Sequence, residues 1–430
     1  MRFLRGVIET ASFRTLVVFA GGNLLVAVLG GLGSLIQALW IEPAVFGEFR
    51  KFCILTAYMN IGLVLVNDGL SRQFPYLLGK GNKDGALKVA ASAKWWYLLL
   101  CWLFSLFFAV LALTSVTQGD YRSAVGWGTQ IPCIWTAIYG LYLGVMYRTS
   151  TEFERLSYNN IISNVFGFAA LVLVRVWGYW GLAARVALAS TVGLYCSRRY
   201  VPVRVKAALD VKALVDLAKI SLPLAIPGYI GSSFLTASLS VIVLQYCGQH
   251  GLGIYGMALT FQAVALTLTG AIHQMFTTKL TYKFGETGNA FACLKYSRIP
   301  TLLSVGAACC LAVALCLVIG PFIRSLMPKY EPAVPVIRIL ALQLPVSAAG
   351  LPLIIIPTAL WYKHLIALTL IRFLVPLAAI AVLPKTLNMI AACIILGGVC
   401  HVITGLGIVE WMCRKEVVPV SVGGGMATPN

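Results

Sequence analysis

Carboxylates are scarce in this chain: 14 Asp and Glu stand against 33 Lys and Arg in 430 residues. None lies between Glu9 and Glu42, and acids are nearly absent from the middle of the long apolar stretches. A cation-coordinating carboxylate at the centre of such a stretch therefore has no obvious candidate. Histidine is also rare, and His250, His273, His364 and His401 are too dispersed to give a metal-ligand spacing. Neither GxxxxGK[ST] nor HExxH occurs, which excludes an ATP-hydrolysing phosphate loop and a zinc-peptidase helix. No catalytic residue, metal site or cofactor is expected, and nothing marks the chain as an enzyme. Twelve cysteines are present but no CxxC pair, and Cys53, Cys101, Cys133, Cys309, Cys310, Cys316, Cys393 and Cys400 fall in apolar stretches, where they read as small buried hydrophobes. Long polar stretches are missing too, so no soluble domain is inserted.

What remains is apolar. Hydrophobic residues make up 60% of the chain and charged ones 11%, and the mean hydropathy is +0.88. A soluble fold of this size cannot bury that much, whereas lipid supplies the surroundings. About 20 apolar residues cross the hydrocarbon, and charged or Gly/Pro-rich punctuation divides the chain into twelve such pieces: 15–40, 50–69, 93–117, 125–147, 157–174, 177–197, 218–244, 252–274, 299–320, 335–358, 362–383 and 387–410. The run from Thr15 to Ile41 follows basic residues but lacks a small-residue cleavage site, so it reads as a retained first helix. An even count puts both termini on one side. With the N-terminus inside, 23 Lys and Arg fall on the cytoplasmic side and 8, Arg50 and Lys51 among them, on the other. That asymmetry gives an N-in, C-in orientation and explains the net charge of +19 without nucleic acid.

The expected organisation is an N-terminal six-helix bundle (1–197), a cytoplasmic linker (198–217), a C-terminal six-helix bundle (218–410) and a flexible tail (411–430). The linker carries Val205, Leu209, Leu214 and Leu217 among cations, as a short amphipathic helix on the anionic inner surface would. An internal repeat supports the division. Phe46-Gly47-Glu48-Phe49 matches Leu252-Gly253-Ile254-Tyr255 at an offset of 206, each in the loop after the first helix of its half. Gly79-Lys80-Gly81-Asn82 with Lys88 matches Gly285-Glu286-Thr287-Gly288-Asn289 with Lys295, one inserted residue later. Each half crosses an even number of times, so the two are related by an axis along the bilayer normal, enclose a cavity between them, and suit alternating access by rocking. Pro223 and Pro227 near the start of the seventh helix, and Pro345, Pro352 and Pro357 in the tenth, supply kinks.

Arg185 and Arg372 fall halfway along apolar spans, one in each half. A charge there is costly and usually faces a protein interior or a wet path; lining a cavity and tying one helix to another both satisfy that. Arg175, in RVWGYW, sits at an aromatic membrane rim where snorkelling competes with a cavity role. Asp68 and Arg72, in VNDGLSRQF, are placed to pair at i,i+4 at the cytoplasmic mouth. Asn23, Gln37, Asn164, Gln262 and Gln343 are candidates for a polar lining that touches sugar hydroxyls, and helix–helix hydrogen bonding would use the same residues. Interior cations without interior acids favour an anionic cargo, and guanidinium geometry suits phosphate.

The order and spacing of WIEPAVFGEF, NDGLSRQFPYLLGKGNKDGALK, LAKISLPLAIPG and IGPFIRSLMPKYEPAVPVIRILAL make the chain resemble the polysaccharide and O-antigen flippases of the multidrug/oligosaccharidyl-lipid/polysaccharide (MOP) superfamily. The resemblance implies a MATE-like all-α integral membrane fold, the bacterial inner membrane, and passage of an undecaprenyl-diphosphate-linked oligosaccharide from the cytoplasmic to the periplasmic leaflet. It also implies a polyprenyl-diphosphate-linked glycan and membrane lipids as partners, with a polysaccharide polymerase and a chain-length regulator alongside. A multidrug or small-metabolite exporter of the same superfamily is the alternative. Exporters of that kind typically carry an acid in the first helix, and this sequence has none there.

Overall fold

A computed structural model describes residues 11–150, 152–287, 289–359 and 361–417. The side chain of Asn23, most of the segment around Gly285–Gly288 and the tail beyond 417 lie outside the described residues. The fold is all-α. In chain order the helices are α1 (Ala11–Trp40), α2 (Pro43–Met59), α3 (Asn67–Gly79), α4 (Lys83–Thr117), α5 (Tyr121–Thr149), α6 (Phe153–Ala169), α7 (Leu171–Trp177), α8 (Tyr179–Arg199), α9 (Val211–Tyr229), α10 (Leu235–Thr287), α11 (Ala290–Leu326), α12 (Ala333–Ala341), α13 (Gln343–Ala349), α14 (Ile355–Thr358), α15 (Tyr362–Val382) and α16 (Leu387–Val417). Among the described residues, six helical stretches are long and apolar enough to cross a membrane, and two bent pairs bring the number to eight. The twelve crossings expected from hydropathy are thus not all met by length and apolarity. The shortfall includes α5 and α8, which carry Gly, Thr, Gln, Tyr and Arg among their apolar residues. Leu103, Leu106, Leu302, Leu303 and Leu317 are each more than half exposed, as on a face that meets lipid.

Local chemistry sets the ends of these helices. Asn82 accepts from the Gly85 amide and starts α4, and Asn289, its counterpart in the repeat, accepts from Phe291 and Ala292 and starts α11. Asp120 and Asp210 cap α5 and α9 in the same way. Gly248 takes φ 68° inside α10, a backbone state open to glycine, and breaks it into two arms at the place where the spacing predicts a loop between the seventh and eighth spans.

Three expectations are corrected. Phe46–Phe49 is not a loop: Pro43 occupies the first turn of α2, its fixed φ favours helix there, and the helix runs through FGEF to Met59. Its partner Leu252–Tyr255 likewise lies within the second arm of α10. The linker forms no amphipathic helix over 201–210; that segment has no regular secondary structure and is hydrogen-bonded to α4, and α9 already begins at Val211. The tail is helical as far as Val417, where Arg414 pairs with Glu410 at 2.7 Å and Lys415 lies 3.8 Å from the centre of the Trp411 ring.

The halves of the chain meet through α2 and α10. A Cβ on Gly47 would run into the Gln249 carbonyl, and one on Gly253 would run into that of Pro43. The two glycines singled out by the repeat therefore let the two helix backbones touch. One turn further, Arg50 donates through Nη1 to the Gly256 carbonyl at 2.6 Å, again across 206 residues. Tyr58 Oη donates to Ser238 Oγ at 3.1 Å, Tyr229 Oη to the Tyr58 carbonyl at 2.8 Å, and Ser221 Oγ to the Val64 carbonyl at 2.6 Å.

Candidate functional site

The site is built where helices fail to run straight. Between α2 and α3 a turn of 3-10 helix (Asn60–Leu63) and the non-helical Val66 bend the chain by 43°. Opposite, Pro223 and Pro227 lie inside α9, and the chain then widens into a π-turn at Ile230–Phe234. Such departures free backbone groups and splay the helices, which membrane proteins tolerate beside a cavity.

Two cavities open there. The first, about 600 Å³, is lined by Asn60, Asn67, Thr136, Asn160, Ser163, Asn164, Ser197, Tyr229, Ser232 and Ser233, with Asp68 its single charged group among the described residues. The second, about 470 Å³, is lined by Asp68, Ser71, Arg72, Ser232, Thr369, Arg372 and His401. Asp68, Gly228 and Ser232 belong to both, so the cavities adjoin. One wall is therefore rich in amides and hydroxyls, and the other holds two guanidiniums against one carboxylate.

The polar groups are ordered. Asn67 Nδ2 donates to Asp68 Oδ1 at 2.9 Å, and Tyr97 Oη donates to Asn67 Oδ1 at 3.2 Å. Asn164 donates to the Asn160 carbonyl, and His401 Nδ1 lies 3.0 Å from the Leu368 carbonyl. Asp68 and Arg72 share the second cavity, but no ion pair joins them among the described residues, because the Asp68 carboxylate turns to the Asn67 amide.

The remaining candidates fall elsewhere. Arg372 has an exposed side chain in the second cavity. Arg185 lines neither cavity; its Nε donates to the Gly167 carbonyl at 2.8 Å and its Nη1 to Gln37 Oε1, so it joins α8 to α6 and α1. Gln37 is thereby a buried partner of that arginine. Arg175 is exposed, its guanidinium 5.8 Å from the Trp40 ring centre. Gln262 lines a third opening with Arg50, Ser34 and Thr260. Gln343 reaches Ser347 Oγ at 3.5 Å and leaves its Oε1 without a partner.

Residue patterns alone missed Asn67, Asn160, Ser163, Tyr229, Ser232, Thr369 and His401. Helical spacing held part of the signal: Asn160, Ser163 and Asn164 share one face of α6, whereas the bend between Asn60 and Asn67 takes that pair out of any helical register. Asp68 also corrects the picture of an acid-free interior, since it stands where the cavities join. Arg50 is inside α2 and bonded across to α10, although the distribution of charge places it in an outer loop.

Residues 88–283, somewhat less than half of the chain, match the family model described as polysaccharide biosynthesis protein. Among solved structures, an inward-facing multidrug resistance MATE family transporter of the MOP superfamily aligns with a TM-score of 0.71 at 14% identity, over 93% of this chain and 99% of that one. An outward-facing conformation of a MATE family transporter aligns at 0.68 and 14%, covering 96% and 98%. A MOP superfamily transporter from Pyrococcus furiosus, described as having a binding pocket of reverse polarity, aligns at 0.63 and 14%, covering 93% and 96%. No curated protein matches in sequence. The fold is thus the one seen in MATE transporters, and the family model that matches residues 88–283 is that of a polysaccharide biosynthesis protein.

Proposed function

We propose that this protein is a flippase that carries a polyprenyl-diphosphate-linked oligosaccharide across the bacterial inner membrane, from the cytoplasmic to the periplasmic leaflet. One observation carries the reading: a cavity rich in amides and hydroxyls adjoins one bearing Arg72 and Arg372. Sugar hydroxyls need many neutral donors and acceptors, and a diphosphate needs guanidinium charge and fork geometry. The two chemistries meet in the same order in which a lipid-linked glycan presents them, while its isoprenoid tail stays in lipid. The match to a polysaccharide biosynthesis family supports the same cargo class.

On this reading the chain comprises twelve crossings in two bundles of six, 1–197 and 218–410, with both termini cytoplasmic. The bundles rock about the α2–α10 contact. Helices lining a wet path need not be apolar all round, which accounts for the crossings that fall short on hydropathy. A polymerase and a chain-length regulator would take the cargo onward.

The test is transfer of a fluorescent polyprenyl-diphosphate oligosaccharide in proteoliposomes. Removing one charge-assisted contact costs about 1.5–3 kcal/mol, or roughly tenfold or more in affinity. Arg372→Ala and Arg72→Ala should therefore each cut transfer about tenfold at limiting substrate, with unchanged melting temperature. Arg185→Met should instead lower the melting temperature. Normal transfer in both cavity variants would reject the reading.

The second reading, a multidrug or small-metabolite exporter, draws on Asp68, the single carboxylate lining either cavity among the described residues, and on the fold shared with MATE transporters. It requires that Asp68→Asn abolish extrusion of cationic dyes from cells.

A further inference from the structure

A cavity of about 470 Å³, separate from the three openings described above, is lined by Lys94, Arg198, Arg199 and Arg204 together with Tyr142 and Tyr195. Among the described residues no carboxylate belongs to its lining. Four cations that share one recess without an acid repel each other unless an anion joins them. Its floor is also incomplete. Tyr142 is only 1% exposed, yet its buried hydroxyl has no hydrogen-bond partner, and leaving such a group unsatisfied is costly. The ring is fixed in place, stacked on Tyr139 at 5.6 Å and tilted against Tyr97 at 5.7 Å.

Part of the lining comes from the irregular segment between the halves, through Val201, Val203, Arg204 and Val205. Lys94 Nζ donates to the Val205 carbonyl at 2.6 Å, the Asp210 amide to Ser92 Oγ at 3.1 Å, and the Ala208 amide to the Ala91 carbonyl at 3.4 Å. Arg198, Arg199, Arg204 and Tyr195 are exposed at the rim. A buried donor at the bottom, cations at the mouth and the apolar side chains of Leu143, Val201, Val203 and Val205 in the lining match a phosphate carried by acyl chains. Basic recesses between membrane helices on the cytoplasmic side suit anionic headgroups. From this geometry we infer that the recess binds the phosphate headgroup of an anionic phospholipid of the cytoplasmic leaflet and thereby fastens the connecting segment to α4. The inference needs only the membrane placement and is independent of the cargo.

Purified full-length protein can be equilibrated with micelles containing phosphatidylglycerol, phosphatidylcholine or neither plus millimolar inorganic phosphate, and retained lipid read by native mass spectrometry beside the melting temperature. Phosphatidylglycerol should be retained and should raise the melting temperature. Arg199→Gln with Arg204→Gln should reduce that retention on the order of tenfold, since each cation near an anionic lipid contributes about 1 kcal/mol. Lys206→Gln with Lys212→Gln removes equal charge from exposed positions on the same face but outside the recess, and should leave retention unchanged. Tyr142→Phe keeps the ring and should weaken retention several-fold, which provides the test should the double arginine variant fail to fold. Equal retention of phosphatidylcholine, equal loss in the lysine control, or retention unchanged in Tyr142→Phe would overturn the site. Stabilisation by inorganic phosphate as great as by lipid would overturn the lipid assignment in favour of a soluble anion.

Discussion

Single residues decide how closely the halves of this protein approach. At Gly47 and Gly253 an added Cβ would strike backbone oxygens, which cannot move aside, whereas at Gly256 it would meet the flexible Arg50 side chain at 2.5 Å. Overpacking of this kind costs about 1–3 kcal/mol. Gly47→Ala and Gly253→Ala should therefore lower the melting temperature in detergent clearly. Gly256→Ala should lower it less, because Arg50 can swing away at the expense of its hydrogen bond to the Gly256 carbonyl. The importance of Gly47 and Gly253 was legible as a repeat, but nothing along the chain hints that they touch each other. Arg185 and Arg372 look alike as letters, both in mid-span. What separates them is the helix face and a partner 148 residues away: Gln37 holds Arg185, while Arg372 opens on the second cavity. Neither property is local, so no reading of neighbours along the chain distinguishes the two.

At the scale of elements, breaks matter more than helices. The interruption of the tenth expected span was legible from Pro345, Pro352 and Pro357, and the chain bends there by 52°. The bend between α2 and α3 was not, because no proline marks residues 60–66 and polar side chains alone signal the cavity it opens. The π-turn after α9 follows Pro227, which offers no amide to the helical ladder. Pro227→Ala restores that donor and favours a straight helix. Transfer of the labelled oligosaccharide should slow several-fold while its binding stays the same, a split seen by comparing turnover with equilibrium titration. Equal effects on both would assign Pro227 to cargo contact. The caps were partly legible: Asn82 and Asn289 stand at matching places in the repeat, and each starts a long helix with its side chain.

For the whole molecule, charge asymmetry predicts an orientation, with Gln118 outside and Pro202 inside, while six to eight helical stretches among the described residues meet the length and apolarity of a crossing, against the twelve expected. In a cysteine-free background, Gln118→Cys should react with a membrane-impermeant maleimide on intact cells, and Pro202→Cys only after permeabilisation. The reverse pattern would turn the protein over in the membrane. The Arg50–Gly256 contact has a further consequence. These positions correspond in the repeat, yet one carries the largest cation and the other no side chain at all. If the first half met a second copy of itself, two arginines would collide at the seam; if the latter half did so, the seam would hold a void. Neither half can stand in for the other, because each presents at the seam the shape that its counterpart requires.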